Sequence, residues 1–291
     1  MTARGVTSPR RDVVVIGPAT WNHVIALDEL PPPTPHMQFA RDHWWTMGGT
    51  SAGKALHLAD LGVEQTLVAA IGPDDAGDHV RSQLARGGVR LVEMPGAVAT
   101  ESHTNLMSTT GERVSLYVDP PPAASAASVE VARLAIADAT VVVLDLAATG
   151  ARIAGDDVPL DAEVWVDLHD WDGESNFQVP FVGAANVVVA SHERLADIER
   201  FLRRCIDDGA ELAIVTRGAD GSVGMDAAGN TVICAASAVD VVDTNGAGDA
   251  FVAGALAARM HGLPLEQMLE AGSKQALRAL TSRHLCASLD M

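Results

Sequence analysis

Short runs of branched aliphatic residues punctuate the chain at 13–17, 65–71, 141–146, 164–168, 187–190 and 212–216, and several are almost pure valine. They lack polar alternation, so both faces of each strand must be covered, as in a parallel sheet between two layers of helices. Segments of helical pattern stand between them. These are 51–61 (SAGKALHLADL) closed by Gly62, 76–86 closed by Gly87-Gly88, and 193–207. Strand and helix in alternation predict a doubly wound α/β fold with right-handed crossovers, whose ligands belong at the C-terminal ends of the strands. A length of 291 residues suits one large domain or a core with a small appendage.

Two regions interrupt the alternation. Residues 24–47 and 101–118 are strand-like, with alternating character at Ser115-Leu116-Tyr117-Val118 and a turn signal at Thr110-Gly111-Glu112. Proline runs at 31–33 and 120–122 mark stiff turns at which a small separate sheet would join the core.

The chemistry concentrates in 243–251, Asp-Thr-Asn-Gly-Ala-Gly-Asp-Ala-Phe, which opens a segment of small residues running to position 260. Glycine in a first helical turn costs roughly 1 kcal/mol against alanine, so bare backbone there calls for a reason. One reason is an anion held by the unpaired N–H groups and positive dipole of a helix start. Asp249 then stands where a carboxylate could meet an incoming hydroxyl, the layout needed for phosphoryl transfer to an alcohol. The other reading is a glycine-rich turn before a tightly packed helix, with Asp249 only favouring the dipole.

The nonapeptide closely resembles the D-T-x-G-A-G-D-x-F signature of the ribokinase (PfkB) family of carbohydrate and nucleoside kinases. The resemblance covers 12–285. It implies a ribokinase-like kinase domain over 12–290, with a mostly parallel sheet and a small β-sheet lid inserted at about 23–47 and 100–118; residues 1–11 read as a flexible tail. It also assigns roles. Asp249 accepts the hydroxyl proton, and the backbone of Gly246, Ala247 and Gly248 holds the transferred phosphoryl. Thr216, Arg217, Gly218, Gly221 and Thr244 lie on the nucleotide side, and Asp243 with Asn245 offers a monovalent-cation site, with K⁺ the candidate ion. Glu193, in the place of the N-x-x-E motif, orders Mg²⁺ through water or is simply a helix-start glutamate; Ala190 replaces the family asparagine.

Gly48-Gly49-Thr50-Ser51-Ala52-Gly53-Lys54-Ala55 misses the P-loop pattern, because Ala55 stands where a Ser or Thr would hold Mg²⁺. In the family reading it is the N-terminal motif, and Gly48, Gly49 and Gly53 admit the acceptor's hydroxyls. Gly53 departs from the usual asparagine, and Asn22 stands where many relatives have aspartate. Lys54 reads as a solvated charge at a helix start. Gly72-Pro73-Asp74-Asp75-Ala76-Gly77 is architectural, with Asp75 as helix cap. His169 and Trp171 replace an asparagine and an arginine, so a phosphate-side arginine is missing, which speaks against a phosphorylated acceptor. His43-Trp44-Trp45 and His103-Thr104-Asn105 fall in the lid and either contact the acceptor, as assigned to His103 and Asn105, or pack the sheet.

A net charge of −18 excludes nonspecific binding to nucleic acid or anionic membranes. Three cysteines without metal-like spacing read as reduced thiols of a cytoplasmic protein. No paired histidine spacing suggests zinc, and no run of 18 apolar residues suggests a membrane span. The expectation is an ATP- and Mg²⁺-dependent kinase acting on a sugar, dimeric through its lid. The alternatives are an adenosine-type nucleoside kinase and a non-catalytic regulator on the same fold. A dinucleotide oxidoreductase fails for want of G-x-G-x-x-G after the first strand, where Gly17-Pro18-Ala19 stands.

Overall fold

The computed structural model describes residues 12–156, 158–159 and 161–290; the expected tail 1–11 lies outside them. The chain opens with β1 (Val13–Ile16) and crosses into an antiparallel pair, β2 (Thr20–Leu27) and β3 (Asp42–Gly48). Helix α1 (Thr50–Asp60) returns it beside β1 as β4 (Gln65–Ala70), and α2 (Asp75–Arg86) leads to β5 (Arg90–Met94). A second excursion forms β6 (Ser102–Ser108) and β7 (Arg113–Asp119). Alternation then resumes through α3 (Ala126–Ile136), β8 (Val141–Leu144), α4 (Ala148–Asp156), β9 (Glu163–Asp167), α5 (Val179–Ala184) and β10 (Val187–Ser191). After α6 (Ile198–Asp207) and β11 (Leu212–Thr216), a hairpin of β12 (Ser222–Asp226) and β13 (Thr231–Cys234) precedes α7 (Ala247–Met260) and α8 (Leu265–Leu280).

Among the described residues these strands build a nine-stranded sheet, ordered β13-β12-β11-β10-β9-β8-β1-β4-β5, and a four-stranded sheet, ordered β3-β2-β6-β7. Strands from β11 to β5 run parallel, and β12 and β13 add antiparallel at one edge. The expected doubly wound fold with a small second sheet is what forms. The valine runs explain it: Val13 and Val15 enter one apolar cluster with α1, α7 and α8, while Val14 and Ile16 enter a second cluster on the opposite face. A strand buried on both sides has no polar face to show. The sheet changes direction of growth between β1 and β8, so a crevice opens at their C-terminal ends.

The small sheet is built from Thr20–Leu27, Asp42–Gly48, Ser102–Ser108 and Arg113–Asp119, with proline runs 31–33 and 120–122 in the β2–β3 loop and the β7–α3 link. Two boundaries differ. Helix α6 starts at Ile198, because the Asp197 side chain accepts from the Arg200 amide and caps it; Glu193 therefore lies in the preceding loop. Asp74, and not Asp75, caps α2: it is extended, accepts from the Gly77 amide, and also binds the Thr100 amide and hydroxyl. No described helix is long and apolar enough to cross a membrane.

Candidate active site

Helix α7 begins at the C-terminal edge of the large sheet. Gly246 occupies the cap position in the left-handed region (φ 76°), a conformation that suits glycine, and no side chain caps the turn. A Cβ built on Gly248 would meet nothing within 4 Å. The first-turn amides of α7 have no intrahelical partner, and that of Ala247 donates to the Thr244 carbonyl of the preceding turn at 3.4 Å. Asp249, one residue on, is almost fully buried at the floor of a cleft of about 1470 Å³.

Lys54 overturns its reading as a solvated charge. It is fully buried in α1, with Nζ 2.8 Å from Asp145 Oδ1, 3.0 Å from Asp167 Oδ2 and 2.8 Å from Asp249 Oδ1. The physical reason is the helix around it. Residues 51–58 are all buried, so a lysine among them has no route to water and must be paired. Asp145 follows β8 and Asp167 ends β9, so the topology delivers both to the crevice. Ser51 donates to Asp145 Oδ2 at 2.6 Å; Asp145 Oδ1 has no hydrogen bond of good geometry and is compensated by the ammonium. Asp145, Asp167 and His169 bring ligand atoms within 4.8 Å of one another, a spacing that could hold a metal, but Lys54 already supplies a cation there.

The electrostatics follow from this arrangement. Burial pushes Asp249 up to about 6; Lys54 and His169 oppose the rise, and Asp145 and Asp167 add to it. Burial also pushes on Asp167, but the charges of His169 and Lys54 and the His169 amide bring it down to about 2. Lys54 is desolvated, yet its three carboxylate neighbours hold it well above the usual lysine value.

Gly53 does not face the acceptor space: a Cβ there would lie 2.8 Å from Asp249 Oδ2 and 3.0 Å from Asp249 Cβ. Its bareness lets α1 approach Asp249, which accounts for the missing family asparagine. Asn22, Gly48, Gly49, His103 and Asn105 do line the cleft. Asn22 Oδ1 accepts from Thr20 Oγ1, and His103 packs on Tyr117 with its Nε2 2.9 Å from Glu101. On the opposite side Thr216, Gly218, Gly221, Thr244 and Glu193 line the cleft. Arg217 does not: its guanidinium closes its own turn on the Asp220 carbonyl. Asp243 accepts from both the amide and the side chain of Asn245, and Asn245 in turn meets Arg113 of β7. Trp44 and Trp45 lie outside the cleft. Trp44 donates to the Arg283 carbonyl beneath the Arg283 guanidinium, and Trp45 stacks on His23.

The model of the family described as "pfkB family carbohydrate kinase" matches residues 10–154 and 182–290. The chain belongs to this family. Its activity is ATP-dependent phosphorylation of a sugar-type hydroxyl. The kinase is 34% identical over 287 residues to acarbose 7(IV)-phosphotransferase of Actinoplanes sp., covering 94% of this chain and 93% of that protein. Among solved structures, a microbiome-derived acarbose kinase superposes with a TM-score of 0.82 at 24% identity, covering 97% of this chain and 98% of that one. A ribokinase from Thermotoga maritima does so with a TM-score of 0.78 at 18% identity, covering 95% of each chain.

Sequence reasoning missed Lys54, Asp145, Arg283 and His284. The first two left a signal, a lysine in a helix of mostly small and apolar residues and an aspartate closing a valine run. Arg283 and His284, which also line the cleft, lie in an irregular C-terminal segment that carries no pattern.

Proposed function

We propose that this kinase transfers the γ-phosphoryl group of Mg-ATP to a hydroxyl of a neutral, extended saccharide of the acarbose type. The observation that carries the reading is Asp249, with one carboxylate oxygen unbonded, beside the bare first turn of α7 at the floor of the cleft. Small-molecule pockets usually run about 300–1,000 Å³, so a cleft of about 1470 Å³ has room for a nucleotide and an acceptor of more than one ring. The acceptor end offers Asn22, His103, Asn105 and Tyr117 as hydrogen-bonding groups, with Glu101 and Asp170 nearby. Arg113, Arg283 and His284 share the lining with these carboxylates, so the wall charge is mixed and the choice of a saccharide rests on the hydroxyl-pairing groups. The similarity to an acarbose phosphotransferase supports the same choice.

In the reaction, Asp249 takes the hydroxyl proton as the acceptor oxygen attacks the γ-phosphorus. The phosphate ester forms, ADP departs and the proton later leaves to solvent. The amides of Gly246, Ala247 and Gly248 hold the phosphoryl oxygens as charge spreads over them. Thr216, Gly218, Gly221 and Thr244 approach the other phosphates, and the base fits between the 236–241 loop and Ala276, Leu277 and Leu280 of α8. Glu193, at the cleft wall with Ser191 donating to it, suits hydrated Mg²⁺, which when bound neutralises phosphate charge. A monovalent cation such as K⁺ would sit by Asp243 and Asn245; stimulation of turnover by K⁺ over choline tests it.

The small sheet acts as a lid and pairs with a second copy. Strand β7 is exposed along its whole length and presents Val114, Leu116 and Val118 outside the cleft, more apolar surface than a solvated flap carries. Free Cys205, Cys234 and Cys286 suit a reducing cytoplasm.

The test is ADP release with acarbose, maltotriose, ribose, fructose and adenosine. Release driven by acarbose is expected. Release with adenosine alone favours a nucleoside kinase, the second reading, for which the His103–Tyr117 ring pair is a base platform. No release with any acceptor favours a regulator.

A further inference from the structure

Lys54 is among the largest fully buried side chains, and the burial of its charge demands an account. A lysine ammonium offers three N–H donors and no acceptor. Here three carboxylate oxygens lie within 3.0 Å of it, one each from Asp145, Asp167 and Asp249. Asp145 and Asp167 are themselves fixed, the first by the Ser51 hydroxyl and the Ile16 carbonyl accepting its amide, the second by the His169 amide. The ammonium is therefore anchored on the rigid sheet and reaches Asp249 from there. Asp249 Oδ1 accepts from Lys54, whereas no described group hydrogen-bonds Oδ2. Gly53, adjacent to Lys54, supplies the bare backbone that lets Asp249 sit this close to α1.

We propose that Lys54 is a positioning residue for the proton acceptor: anchored on Asp145 and Asp167, it fixes one oxygen of Asp249 and leaves the other for the acceptor hydroxyl. The inference rests on Asp249 being the base. Position has an electrostatic consequence. The groups that face Asp249 are Lys54 and His57 from α1, Asp145 after β8, and Asp167 and His169 at the end of β9. Lys54 is the largest influence holding Asp249 down against burial, and Asp145 is the largest neighbouring charge pushing it up. Removing the ammonium leaves a buried carboxylate among carboxylates, so a higher pH is needed to ionise it. Removing the Asp145 charge does the opposite. Replacing a lysine that served packing alone would leave the ionisation of Asp249 where it is.

The experiment is the pH profile of kcat/KM for the full chain with Lys54→Met, Asp145→Asn and Asp249→Asn, beside thermal melting and ATP-analogue binding. The acid limb is expected to move up by about one unit or more in Lys54→Met, the usual effect of a neighbouring charge. In Asp145→Asn it is expected to move down, with analogue binding within about twofold of the parent in both. If Lys54→Met does not fold, Lys54→Gln, which keeps a polar head among the three carboxylates without the charge, is read in its place, with the same upward shift expected. An acid limb unmoved in every folded variant, with Asp249→Asn inactive, overturns the Lys54 role and leaves the base intact. Activity of Asp249→Asn close to the parent overturns the base itself.

Discussion

Asp249 and its neighbours carry the first predictions. Asp249→Asn removes the proton acceptor while preserving shape, and turnover is expected to fall about 10²- to 10⁴-fold, the usual worth of a positioned base. Melting temperature and ATP binding should hold, and a variant as active as the parent would remove Asp249 from the role. The parent's pH profile follows from the same residue. Burial places Asp249 at about 6, so the base is ionised above that pH and activity drops as pH falls through it. A profile flat from 5 to 8 contradicts this. Gly53→Asn, which restores the usual family residue, is expected to damage rather than retune the enzyme. Its Cβ would lie 2.8 Å from Asp249 Oδ2, so Asp249 must shift, and an ångström of misplacement can cost about 10²-fold. Turnover equal to the parent's would show that α1 and α7 separate easily.

At the scale of elements, the start of α7 is a backbone device. A side chain at Gly248 meets no protein atom within 4 Å, so Gly248→Val should leave the fold standing while crowding the phosphoryl group. Turnover is expected to fall by ~10²-fold or more, comparable with losing an oxyanion donor. Melting temperature is the control: a collapse in step with activity would make the glycine architectural. The small sheet is tied to the core by side chains. Trp44 of β3 holds Arg283, Thr46 meets His284, and Arg113 of β7 meets Asn245 just before α7. Trp44→Ala should loosen the 281–285 segment, whose Arg283, His284 and Leu285 line the cleft. The expected readout is a several-fold rise in acceptor KM with kcat less affected.

For the whole molecule, assembly is the open quantity that surface chemistry addresses. The exposed β7 face beside a net charge of −18 predicts an isologous dimer, the commonest symmetric arrangement. Its apolar strand must pair where charge repulsion is least. Light scattering at micromolar concentration should give twice the 30.3 kDa chain mass. Leu116→Lys should return it to the monomer, and a parent already monomeric refutes the interface.

The valine runs by themselves determined the parallel sheet, because a strand without a polar face has to be covered twice. The 243–251 glycines and Asp249 pointed to an anion cradle or a tightly packed helix start, and the structure leaves the turn without a side-chain cap and Gly248 without neighbours. Local chemistry of this kind is legible wherever neighbours in sequence do the work. Lys54 was misread because its three partners lie at positions 145, 167 and 249, and only the sheet order brings them together. Gly53 looked like a lost acceptor contact until the packing of α1 on α7 showed what it accommodates. Arg217 sits inside a motif yet bonds its own turn, a choice among rotamers that sequence does not record. The fold class came from periodicity, which is local; the buried ion cluster came from topology, which sets distances between residues far apart in the chain.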